Sequence, residues 1–94
     1  MTFEVNIWRL RCFAALAEEL HFGHAATRLF ITQPALSLQI KQLEISLGYD
    51  VVTRDRSVAL TEQGRRLLPH SARVLAAADD FASAAAASGR LHAA

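Results

Sequence analysis

Thr32, Gln33, Ser37 and Lys41 fall at intervals that put them on one side of a helix beginning Thr32-Gln33-Pro34-Ala35-Leu36-Ser37-Leu38. Gln33 carries a donor and an acceptor on one planar amide and can pair with adenine. Ser37 can bond most base edges or a phosphate, and an exposed Leu38 can touch a thymine methyl. Lys41, one turn on, can reach a phosphate, and the Thr32 hydroxyl can both cap the helix and meet one. Pro34 belongs in the first turn, where its missing N–H costs nothing. Arg54 and Arg56 follow in a short segment that could lie beside or in a minor groove. Taken singly these residues have ordinary explanations: Thr32 as a cap, Ser37 as a polar surface residue, Lys41 and Arg56 as solvated charges. Their order is what points to a nucleic-acid duplex.

Other chemistry is thinly represented. His21 and His24 are three apart and Cys12 precedes them, but a third ligand is missing from that pattern, so no metal site is expected. Neither a nucleophile–base pair nor a Gly-rich phosphate loop is present, and an enzyme is not expected. No cofactor is implied.

The elements that must position these residues can be read from the spacing of apolar side chains. Residues 1–5 are expected to be frayed or weakly extended. Asn6 is a good N-cap for a first helix to about Leu20, with Ile7, Leu10, Phe13, Ala17 and Leu20 on one face. Trp8 lies off that stripe. His21-Phe22-Gly23 breaks this helix. Gly23 can cap a second, His24 to about Phe30, in which Ala25 and Ala26 permit a close helix crossing and Leu29 points inward. Ile31-Thr32 is a turn. A third helix then runs to about Leu47 and ends at Gly48. Leu36, Ile40, Leu43 and Leu47 lie within about 60° of arc, so the opposite side is free for a partner.

Val51-Val52-Thr53-Arg54 and Val58-Ala59-Leu60 read as a small hairpin around Asp55-Arg56-Ser57. Thr61 caps a last helix, expected to end at Ser88-Gly89, with Pro69 as a kink point. Leu67, Ser71, Val74, Ala78 and Phe81 form one stripe that can rest on the domain. Leu68, Ser71, Leu75, Ala78, Ala82 and Ala85 form a second, which suggests a helix–helix homodimer.

The totals bound these readings. At 94 residues the chain is one small domain with a modest, Ala-rich core. Net charge is +1, a weak footprint for nucleic acid, so positive charge must be local. From Gly23 to Arg66 six cations stand against four anions. The lone Cys12, on an apolar helix pattern, reads as a buried thiol in a reducing compartment. No apolar run approaches the ~20 residues of a membrane span, and the N-terminus lacks signal-peptide order, so a cytoplasmic protein with no membrane partner is expected.

The run Phe13, then Phe22-Gly23-His24-Ala25-Ala26-Thr27-Arg28-Leu29, Thr32-Gln33-Pro34-Ala35-Leu36-Ser37-Leu38-Gln39-Ile40, Leu43-Glu44, Leu47-Gly48, Arg54 and Leu60-Thr61-Glu62-Gln63-Gly64 resembles the N-terminal DNA-binding domain of the bacterial LysR-type transcriptional regulators. The likeness extends from about Ile7 to Ser88. It implies a mainly α, winged helix-turn-helix fold: three helices plus a short two-stranded β wing, then a long linker and dimerisation helix. Residues 1–60 would be the DNA-binding domain, 61–88 the linker helix and 89–94 a tail.

The resemblance further implies sequence-specific binding to dyad-symmetric promoter DNA, with Gln33, Pro34, Ser37 and Leu38 facing the major groove and the wing near Arg56 approaching the minor groove. Full-length relatives would be commonly tetrameric. Their effector-binding domain, the seat of any inducer response, is missing from this sequence, which therefore reads as a truncated or excised domain that stops at the dimer. Three departures stand out. Leu38 replaces a residue that is often long and polar or basic, Val51-Val52 replaces Leu-Phe and thins the packing expected under the wing, and the wing is about one residue short. A helical protein–protein interaction module without DNA specificity is the rival reading, favoured by the Ala-rich last helix and the low net charge.

Overall fold

The computed structural model describes residues 3–92, with side-chain surroundings through residue 89. Residues 1, 2, 93 and 94 of the expected extended start and tail lie outside that range. Residues 3–5 carry no regular structure. The order is α1 (Ile7–Glu19), α2 (Phe22–Arg28), α3 (Gln33–Leu47), β1 (Val52–Thr53), β2 (Ala59–Leu60) and α4 (Glu62–His92).

Asn6 caps α1 as expected, its side chain accepting from the Arg9 N–H at 3.0 Å. The buried face of α1 is not the anticipated stripe, however. Phe13 is shared, but Cys12, Ala15 and Leu16 complete it, while Ile7, Leu10 and Ala17 are half-buried. Leu20 is exposed, because it ends the helix in the left-handed conformation at φ 49° with its N–H on Leu16 O.

The start of α2 also differs. His21, not Gly23, is the cap: its Nδ1 accepts the His24 N–H at 3.0 Å, so the helix begins at Phe22. It ends at Arg28 rather than Phe30, for a specific reason. Ile31 N–H bonds Ala26 O at 3.0 Å and Phe30 N–H bonds Thr27 O at 3.1 Å, with Phe30 at φ 59°. That pair of bonds around a left-handed residue is a Schellman turn, and it aims the chain directly into α3.

Thr32 caps α3 through Ala35 N–H at 3.3 Å, and Gly48 closes it at φ 86°. Leu36, Ile40 and Leu43 are buried with Leu47 packed at the edge, as their spacing predicts. Ala25 and Ala26 are buried where α2 meets α1 and α3. The hairpin is antiparallel with Val52 opposite Leu60 and Thr53 opposite Ala59. Its base is anchored rather than thin: Val51 and Val52 are both buried in the core. Thr61 ties this base to α4 by donating its hydroxyl to Asp50 O at 2.8 Å while accepting Gly64 N–H at 3.0 Å.

The last helix runs unbroken past Pro69 and past the expected stop at Ser88-Gly89, to His92. Its first half packs on α1 and the core through Leu67 and Leu68, with Ser71 buried. At ~1.5 Å per residue its 31 residues project well beyond the helical core, which accounts for the 56 Å long axis of the molecule. Phe81, expected to rest on the domain, lies beyond its reach and is 77% exposed.

Candidate nucleic-acid interface

The buried stripe of α3 fixes what its other side presents. With Leu36, Ile40 and Leu43 inward, Gln33, Pro34, Leu38 and Lys41 are exposed and Ser37 is half-buried. These five residues share the outer face of the first two and a half turns, and the N–H groups of the first turn open towards the same end. Thr32 lies at that end, its hydroxyl already used as the cap. Gln33 also leans on α2: its Oε1 is 3.6 Å from the point where a Cβ on Gly23 would sit. Leu38 and Ile45, the apolar residues of this face, are both over half exposed.

Charges near the face divide into held and free. Arg28 is bound to Glu18 and Glu19 on α1, and the Glu18 hydrogen bond and charge hold its guanidinium more firmly protonated. Arg65 donates to Leu60 O and Arg66 pairs with Glu62. Among the described residues, Lys41 and Arg56 make no ion pair or side-chain hydrogen bond. Both are exposed, Lys41 on α3 and Arg56 at the hairpin tip.

Arg54 does not join them. Its guanidinium stands 3.8 Å from Glu44 Oε1 and 5.1 Å above the Phe22 ring, between α2 and α3. Glu44, which the sequence reading quoted without giving it a role, is the residue that organises this corner. It is 8% exposed, and its Oε2 accepts the N–H groups of Val51 at 2.9 Å and Val52 at 3.4 Å. The signal for it was an acid at the edge of a buried stripe, seven residues before two β-branched residues.

Elsewhere the expected chemistry takes other forms. The His21 and His24 rings stack at 3.8 Å, with His21 Nδ1 committed as a cap acceptor. Among the described residues no group of three or more His, Cys, Asp or Glu could hold a metal, and no helix is long and apolar enough to cross a membrane. Of the six residues proposed for dimerisation, Leu68 and Ser71 are used inside the subunit. Leu75 and Ala78 are half-buried, Leu75 in a shallow groove with Arg11 and Asp79, and Ala82 and Ala85 are exposed.

Residues 7–65 match the family model described as bacterial regulatory helix-turn-helix protein, lysR family. An uncharacterised HTH-type transcriptional regulator of Escherichia coli, YnfL, is 48% identical over 89 residues, covering 94% of this chain and 29% of its own. A probable hydrogen peroxide-inducible genes activator of Mycobacterium xenopi is 45% identical, covering 90% of this chain and 46% of its own. The chain thus spans less than half the length of these relatives. Among solved structures, the BenM DNA-binding domain in complex with its benA site 1 DNA superposes with a TM-score of 0.81 at 33% identity, over 95% of this chain and 98% of that one. OxyR of Corynebacterium glutamicum, as a C206 mutant, gives 0.85 at 41% identity, over 90% of this chain and 27% of that one.

Proposed function

The chain belongs to the LysR family of bacterial regulatory helix-turn-helix proteins, and from that premise we propose that it binds double-stranded promoter DNA sequence-specifically as the DNA-binding part of a transcriptional regulator. In this reading α3 enters the major groove, where Gln33 and Ser37 read base edges and Leu38 meets a thymine methyl. Lys41 neutralises a phosphate, and the hairpin brings Arg56 towards the minor groove. The observation that carries the reading is the outer face of α3. Its first two and a half turns offer short polar side chains and, among the described residues, one unpaired cation, opposite a buried stripe.

The protein works as a homodimer through α4, because one α3 is too small a reader and dyad-symmetric sites require two. It is cytoplasmic and performs no catalysis. Any inducer response belongs to a further, effector-binding domain of a full-length regulator, where tetramers also form.

A protein–protein module is the second reading, favoured by Leu38 and Ile45 exposed on the same face. Titration of a labelled duplex selected by the chain from a random pool separates the two. DNA binding weakens steeply with salt, and Gln33→Ala costs about 1–3 kcal/mol on the selected site with little change on random DNA. Salt-independent affinity would favour the protein–protein module, and equal losses on both DNAs would remove Gln33 as a base reader.

A further inference from the structure

A carboxylate taken out of water needs strong partners. Glu44 has three, and all belong to the hairpin: Val51 N–H, Val52 N–H and the Arg54 guanidinium. The two backbone donors satisfy Oε2 and fix where the hairpin leaves α3. Oε1 faces Arg54, whose other side is covered by Phe22 of α2. The Arg54 head is thus held between two helices, yet it lines the same open groove as Ser37 and Lys41 on the reading face. An arginine in that place would ordinarily be counted as a phosphate contact. Here an opposite charge stands 3.8 Å away on a carboxylate that is only 8% exposed, although the Arg54 side chain itself is 46% exposed, so the attraction is screened from one side only.

We propose that Glu44 is a positioning residue that withholds Arg54 from DNA phosphate, so that Lys41 and Arg56 supply the electrostatics of the reading face while Arg54 holds the wing. The proposal rests on the DNA-binding reading. It explains how a face of such low charge stays selective: a cation close to the duplex is spent on geometry, and the non-specific attraction it would add is cancelled. In an ordinary surface pair, both partners would remain largely available to a competing phosphate.

The slope of log affinity against log salt counts the cations that displace counterions, about 0.9 per phosphate neutralised on B-DNA. A duplex selected by the wild-type chain is titrated at several salt concentrations with wild type, Glu44→Gln, Arg54→Ala, the double variant and Arg56→Ala. Glu44→Gln keeps an oxygen for Val51 and Val52 but loses the charge, and its slope should steepen by about 0.9 per subunit, about 1.8 for the homodimer, so that a threefold rise in salt costs a further ~7-fold in affinity. The double variant should return to the wild-type slope, and Arg54→Ala alone should leave the slope unchanged.

A slope in Glu44→Gln equal to wild type, in a chain whose circular dichroism is unaltered, overturns the proposal. So does a drop of about 0.9 per subunit in Arg54→Ala, which decides the matter even if Glu44→Gln does not fold. The underlying reading is tested separately: a wild-type chain with no salt-dependent binding defeats it, whereas a shallower slope in Arg56→Ala sustains it whatever Glu44 does.

Discussion

Gly64 lies so close to Val51 that a Cβ on it would sit 2.2 Å from the Val51 carbonyl oxygen. That oxygen is not free to move, since it accepts the Thr61 N–H at 3.0 Å, and Val51 itself is fully buried. The first turn of α4 can therefore dock on the base of the wing only where it has no side chain. Gly64→Ala must open this joint, and overpacking of backbone against backbone costs about 2–3 kcal/mol. Ala is otherwise the better helix former by ~1 kcal/mol, so a helix-propensity argument predicts the opposite sign. Thermal unfolding decides: a lower midpoint for Gly64→Ala supports the close approach, and a higher one removes it.

That joint also marks what could be read from residue types and what could not. The position of α3, its cap, its end and its buried stripe follow from Thr32, Pro34, Gly48 and a four-three-four spacing of Leu and Ile, all local signals. The Glu44–Arg54 pair joins residues ten apart through a turn of chain whose direction no local signal fixes, so the pairing is not legible in the residue types. His21 is not a usual capping type, and Gly23 two residues later is a commoner one, so residue type alone misplaces this cap. Gly89 suggested a stop, but α4 continues through it, since a glycine lowers helix propensity without forcing an end. The second stripe of α4 is divided by a distance invisible in the sequence: Leu68 and Ser71 lie against the core, whereas Ala82 and Ala85 lie beyond it and are exposed.

Cys12 gives a pH dependence with a defined sign. Burial pushes its thiol up to about 11, because the thiolate would lose its hydration among Phe13, Leu16 and their neighbours. The unfolded thiol, near the ordinary value of 9.0, releases its proton first. Above that value the unfolded state binds fewer protons than the folded one, so stability present at lower pH is lost as pH rises through 9 to 11. The loss is at most about 1.4 kcal/mol per pH unit. Urea unfolding of wild type and Cys12→Ala across this window should show a steeper decline for wild type. At pH 8 a thiol reagent should label the folded chain far more slowly than the unfolded one. Equal labelling rates would contradict a buried thiol.

Phe30 occupies the left-handed position of the turn between α2 and α3 at φ 59°, and its side chain is 95% exposed. A non-glycine residue in that conformation costs roughly 1–2 kcal/mol, and Asn or Gly tolerates it better. With almost no burial to lose, Phe30→Asn should stabilise the chain by about 1 kcal/mol, read as a higher urea midpoint at unchanged slope. A destabilised Phe30→Asn would mean that the ring makes contacts in solution worth more than the strain.

The homodimer prediction concerns the far half of α4. Phe81, Ala82 and Ala85 are exposed on a helix that has left its own core behind, and small residues beside one aromatic let two helices approach closely. Leu75 is a poor probe, because a charge there would also disturb its groove with Arg11 and Asp79. Ala82→Glu touches no part of the core, so it should turn a dimer into a monomer by analytical ultracentrifugation while leaving the cooperative unfolding of the first three helices intact. It should also weaken binding to a two-half-site duplex far more than binding to a single half-site, since each reading head is untouched and only their linkage is lost. A dimer that survives Ala82→Glu, Phe81→Ser and the two together would move the interface off this half of α4.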